Sequence, residues 1–188
     1  ESTSSSKIEL LVERLCTLIS AGHKALVFSQ WTQFLDRIEP HLNSHGINFV
    51  RLDGATRNRQ AIVDAFQAEN GPSVFLSSLK AGGIGLNLTA ADHVFLMDPW
   101  WNPAVENQAT DRAFRIGQKK NVTVHKFICR GTIEERIDMM IDSKKELSAA
   151  VLEGGDQAAL RLTEMSNQEL FDFISLDKSV DHFERQEE

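Results

Sequence analysis

Two arginines three residues apart, Arg112 and Arg115, stand in the segment QATDRAFRIGQ (Gln108 to Gln118). On a helix that spacing sends both guanidiniums from one face, where two planar forks can converge on one phosphate. Gln108 lies one turn earlier on the same face, and Asp111 sits beside the pair. A second candidate is KAGGIGLNL (Lys80 to Leu88), with Gly82, Gly83 and Gly85 directly after an apolar run. Three glycines in four residues let the backbone approach a ligand and turn its N–H groups toward an anion. The same composition also suits a plain tight turn. These glycines do not make the dinucleotide pattern G-x-G-x-x-G, and G-x-x-x-x-G-K-[ST] is found nowhere in the chain. Between the two segments, Trp100 and Trp101 are adjacent and bracketed by Pro99 and Pro103. Adjacent tryptophans cannot both enter one core, so one anchors while the other is available to stack on or wedge beside a nucleic acid.

The elements that must hold these groups alternate between two periods. Ile8, Leu11, Val12, Leu15, Leu18 and Ile19 share one helical face, and Gly22 ends it. Ala25 to Phe28 is almost wholly apolar, as in a strand buried on both faces. Helical spacing resumes at Trp31, Phe34, Leu35, Ile38 and Leu42, with Pro40 expected to kink or interrupt it. Phe49 to Leu52 reads as a strand, Thr56 to Ala68 as a helix, Val74 to Leu76 and Val94 to Met97 as strands. A helix from about Pro103 to Ile116 follows, then a strand Val122 to Ile128 and a helix Ile133 to Leu152. Strands separated by helices imply βαβ units, hence an α/β fold in three layers with a mostly parallel sheet. Ligands of such sheets bind at the carboxyl ends of the strands, where the glycine segment falls.

Composition narrows the classes. The 188 residues suit one core. No apolar run approaches the ~20 residues of a membrane helix. Cys16 and Cys129 lack metal-ligand spacing, so neither a disulfide framework nor a metal site is expected, and an intracellular, reduced setting is the default. Residues 1–6 read as a frayed or appended end. The net charge of −7 resides in residues 153–188, which hold ten acidic and three basic side chains. The first 152 residues are neutral, yet Arg112 to Arg130 carries six Lys or Arg and no acid. Such a strip is compatible with phosphate binding, or with an ordinary solvated face. Gly154-Gly155 marks a boundary, after which Leu162, Met165, Leu170, Phe171 and Ile174 suggest a short amphipathic helix in an acidic tail.

In order and spacing, HKALVFSQW (His23 to Trp31), RLDGAT (Arg51 to Thr56), SLKAGGIGLNLTAADHVFLMDPWWNP (Ser78 to Pro103) and ENQATDRAFRIGQ (Glu106 to Gln118) resemble the second RecA-like motor lobe of Swi/Snf-family translocating ATPases, in helicase superfamily two. The resemblance covers residues 7–152, and the last two segments are the most specific to the family. It implies a lobe that completes an ATP site formed mainly by a first lobe, with Mg²⁺ and the phosphate loop held there. No ATP or Mg²⁺ is expected on this lobe alone, which should not hydrolyse ATP. Arg115 stands at the family's arginine finger, with Arg112 as its catalytic partner and Gln108, Asp111, Gly83 and Gly85 on the nucleotide side. Ser29, Gln30, Lys80, Gly82 and Trp101 stand at positions that contact DNA. The helix after Gly131 resembles the family's brace. The implied partners are double-stranded DNA, the first lobe and a DNA-bound protein target, with a monomer as the default and a setting in nucleoid or nucleus. One departure is Phe114, where many members carry His; it is expected to pack toward the core or the other lobe. A non-catalytic docking module and an RNA-directed helicase lobe are the alternatives.

Overall fold

The computed structural model describes residues 5–78, 86–100 and 103–150, together with residues 166 and 175; side-chain surroundings are described for neither residue 103 nor residues 143–150. The chain forms two compact units, residues 1–98 with 107–127, and residues 99–106 with 128–188.

The first unit is built on a five-stranded, all-parallel sheet. Its strands are β1 (Ala25–Ser29), β2 (Phe49–Leu52), β3 (Val74–Ser78), β4 (His93–Leu96) and β5 (Thr123–Lys126), in spatial order β2-β3-β1-β4-β5. Every residue of β1 and β3 is buried, as expected for central strands of a sheet covered on both sides. Helices α1 (Ser6–Ser20) and α2 (Thr32–Ser44) cover one side. There Leu11, Leu15, Leu35, Ile38 and Leu42 join Val27, Leu76 and Phe95 in one cluster. Helix α3 (Arg59–Gln67) supplies Phe66, which meets Phe75 edge-on at 5.2 Å. Alternate residues of each strand thus serve opposite faces.

Two turns follow from backbone needs. Gly22 adopts φ +83° after α1, the left-handed conformation that favours glycine. At Gly71 a Cβ would lie 2.0 Å from the Ala65 carbonyl oxygen, so only glycine fits behind α3. The loop RLDGAT is shaped by Asp53, whose carboxylate accepts from the Ala55 N–H at 3.0 Å, while Thr56 Oγ1 accepts from the Asp53 N–H at 3.0 Å. Arg51 joins this loop to α2 through Asp36 (2.6 Å), Glu39 (2.7 Å) and Asp53 (3.0 Å). Burial lowers the Arg51 pKa, but the carboxylates of Glu39 and Asp36 outweigh it and hold the guanidinium more firmly protonated than usual.

Pro40 does not interrupt its helix. α2 runs through it, because Leu35, Ile38 and Leu42 on either side are fully buried and Pro40 itself lies on the exposed face. Packing of both halves outweighs the lost hydrogen bond, a cost of about 3 kcal/mol.

In the second unit, helix α5 (Ile133–Ala150) starts at side-chain caps related to a capping box but shifted by one residue. Thr132 Oγ1 accepts from the Glu134 N–H at 3.2 Å, and the Glu135 carboxylate reaches back to the Gly131 N–H at 2.9 Å. Ile137 and Ile141 are buried at the spacing expected of one helical face, and so is Trp100. The amphipathic stretch 162–174 and the boundary at Gly154 lie outside the described residues.

Candidate functional site

The described candidates fall in two places, the carboxyl end of β1 and the segment from α4 onward. β1 ends at Ser29, whose hydroxyl donates to Asp98 Oδ2 at 2.7 Å, while the Gln30 N–H donates to the same oxygen at 2.8 Å. Ser29 Oγ also accepts from the Trp31 N–H at 3.0 Å. Asp98 lies just beyond β4, the parallel neighbour of β1, so one buried carboxylate fixes the turn into α2. Ser29 is fully buried and its hydroxyl is engaged internally. This is where the structure places the residue at which a strand contact was expected. The residues it positions face outward: Gln30 is half-buried and Trp31 is 62% exposed.

The arginine segment differs from its expected form. Helix α4 (Pro103–Thr110) stops at Thr110, and 111–117 is a series of turns. The cause is tertiary. The Arg112 carbonyl accepts from the Leu88 N–H at 2.9 Å, a bond to a distant segment where a helix would offer Ile116. Arg112 and Arg115 therefore do not leave one helical face. Arg112 is 3% exposed, its guanidinium carbon 5.2 Å from the centre of the Phe28 ring. Burial, then the charge of Arg115, pulls its pKa down to about 10, which leaves it a cation at neutral pH. Arg115 is exposed and, with Asn87 and Ile116, lines an open hollow of about 300 Å³. Gln108 and Asp111 are exposed as well. Phe114 is 66% exposed and Ile116 fully so, which removes Phe114 from the core of its own lobe.

Gln118 closes the segment. Its Nε2 reaches the carbonyls of Thr89 (3.1 Å), Ala91 (2.8 Å) and Ala113 (3.0 Å), and its Oε1 accepts from the Lys120 N–H at 2.9 Å. Neither Gln118 nor Asp98 was assigned a role from sequence, although both lie inside the quoted motifs; their partners are distant in the chain. The basic strip is not one continuous face: Arg112 is buried and Lys120 is drawn to Asp92 at 3.2 Å. Lys80, Gly82, Gly83, Gly85 and Trp101 lie outside the described residues.

Fold and motifs together define a RecA-like helicase lobe. The sequence model of the family described as the helicase conserved C-terminal domain matches residues 6–117, and the chain belongs to that family, within the Swi/Snf group of superfamily-two ATPases. It is similar to "DNA repair protein RAD5A" of Arabidopsis thaliana, 45% identical over 86% of this chain and 16% of that protein. "Putative ATP-dependent helicase/translocase YwqA" of Bacillus subtilis is 43% identical over 92% of the chain and 18% of its own length. "Chromatin-remodeling ATPase INO80" of Mus musculus is 45% identical over 82% and 10%. Among solved structures, the C-terminal part of the Fun30 ATPase domain superposes with TM-score 0.70 at 39% identity, covering 73% of this chain and 45% of that one. The chain thus spans less than a fifth of the length of these curated relatives. Among the described residues no helix is long and apolar enough to cross a membrane.

Proposed function

We propose that this chain is the second motor lobe of an ATP-dependent translocase on double-stranded DNA, one that remodels DNA-bound protein, with Arg115 as the finger on the γ-phosphate. The observation that carries this reading is the contrast at the arginine pair. Arg115 is presented to solvent over a hollow, while Arg112 is buried beneath it and repels it electrostatically. An exposed, oriented guanidinium suits a ligand that arrives from outside the lobe. ATP with Mg²⁺, bound mainly by a first lobe, would supply the transferable γ-phosphoryl group. Arg115 and Asn87 both border the hollow, so the guanidinium is the cationic group there for an incoming phosphate to meet. Gln108 and Asp111, exposed nearby in the chain, belong to the same nucleotide-facing side, as do Gly83 and Gly85.

DNA contact falls to Gln30, Lys80, Gly82 and Trp101, with Ser29 and Asp98 holding the first of these in place. Such contacts to phosphates are independent of sequence and weaken as salt rises. Residues 1–188 contain no phosphate-loop motif, so this lobe by itself is inactive as an ATPase. The test is DNA-stimulated ATP hydrolysis by the longer protein with and without Arg115→Ala, beside this chain alone. Loss of turnover with DNA binding retained supports the finger; unchanged turnover removes that role from Arg115.

A further inference from the structure

The amino edge of the same sheet carries a cluster that the motor reading leaves unused. His23 immediately precedes the β1 entry, Asp92 precedes β4, and His93 opens β4, opposite Ala25 in the parallel pairing. One ligating atom from each of His23, Asp92 and His93 lies within 4.8 Å of the others. We propose that these three residues form a binding site for a divalent transition-metal ion of the zinc class.

The surroundings are those of a built site. Asp92 is buried; its Oδ2 is 2.7 Å from His23 Nδ1 and its Oδ1 accepts from the Lys24 N–H at 3.3 Å, so the carboxylate is oriented by the backbone of the neighbouring strand entry. His93 is steadied from behind. Its Nδ1 lies 3.0 Å from His125 Nε2, and the His125 ring stacks at 4.4 Å on Phe95. A ligating histidine is commonly oriented by a hydrogen bond at its other ring nitrogen, and here His125 occupies that place beside His93. Two imidazoles and one carboxylate suit zinc, cobalt or nickel better than magnesium or calcium, which prefer oxygen throughout. Three protein ligands leave a fourth position for water. Bonds of about 2.0–2.2 Å place tetrahedral ligand atoms about 3.4 Å apart, so the 2.7 Å contact between His23 Nδ1 and Asp92 Oδ2 opens to admit the ion while His93 draws in. The His23 side chain, 38% exposed, has the freedom to do this and marks the entry side.

A cation already occupies part of this space. Lys120 Nζ lies 3.2 Å from Asp92 Oδ2 on a side chain that is half in solvent. The ammonium and a metal compete for one carboxylate, so metal entry displaces Lys120 outward. Spacing gives no hint of the site, because His23 and Asp92 are 69 residues apart.

The experiment is calorimetric titration of zinc chloride into the untagged, EDTA-treated chain, with cobalt absorption as a second readout. Wild type is expected to bind one zinc per chain, and His23→Ala to weaken binding at least tenfold with an unchanged circular dichroism spectrum. Asp92→Asn, which keeps the side-chain shape, is expected to do the same. Lys120→Ala is expected to tighten binding several-fold, since the competing ammonium is gone. His41 in the last turn of α2 and His45 at its C-cap are four residues apart and form an obvious stray site, so His45→Ala is the control and is expected to change nothing. No zinc binding at about 100-fold molar excess overturns the proposal. So does binding that survives His23→Ala, is lost in His45→Ala, or is indifferent to Lys120→Ala.

Discussion

The two ends of strand β4 use one device for different ends. Asp92, just before the strand, accepts from the Lys24 N–H that leads into β1; Asp98, just after it, accepts from the Gln30 N–H that leads out. Each buried carboxylate ties neighbouring parallel strands together through main-chain donors. At the amino edge the charge of Asp92 is met by Lys120 and, when protonated, by His23. At the carboxyl edge Asp98 is spent on a hydroxyl and an amide. Arg112 is buried and that burial draws its pKa down, whereas Arg115 is exposed. One buried carboxylate is thus matched by cationic side chains, and the other accepts from neutral donors.

That contrast can be broken most sharply by activity. In the longer protein, Arg115→Lys keeps the charge but loses the planar fork, and turnover is expected to fall by roughly 10³. Lys120→Ala at the opposite edge is expected to leave DNA-stimulated turnover within about twofold, because it touches neither nucleotide nor DNA in the proposed arrangement; steady-state ATPase assays compare the two. Stability separates the edges next. Asp98→Ala strands a buried hydroxyl and an amide, and chemical denaturation is expected to show a loss of about 3 kcal/mol. Asp92→Ala exposes less, since Lys120 and His23 can turn to water, and is expected to cost about 1–2 kcal/mol in the same measurement. Gln118→Ala removes the side-chain bonds that gather Thr89, Ala91 and Ala113, with an expected cost of about 1–2 kcal/mol. The smallest effect lies in the second unit, where Thr132→Ala removes the cap of α5 and is expected to lower stability by about 1 kcal/mol.

The central strands, α1 and the burial of Leu35, Ile38 and Leu42 were legible because a period of 2 or 3.6 is written into neighbouring residues. The same local logic misled at Pro40, where distant packing holds the helix together, and after Thr110, where the Leu88 amide meets the Arg112 carbonyl that a longer helix would have turned to Ile116. Of the two places it offered Phe114, the core of its own lobe and the other lobe, the turn after α4 does not supply the first.

By itself, then, the sequence determined the parallel α/β lobe, its family and the candidate arginines, since these rest on periodicity and on motifs that are contiguous in the chain. Tertiary structure alone decided which arginine is buried and which is presented, that Ser29 positions its neighbours from the interior, and that His23 meets Asp92 and His93. Those outcomes depend on parallel strand pairing and on burial. Both bring together residues tens of positions apart, and the free energy of a charge or a hydroxyl is set by what surrounds it there.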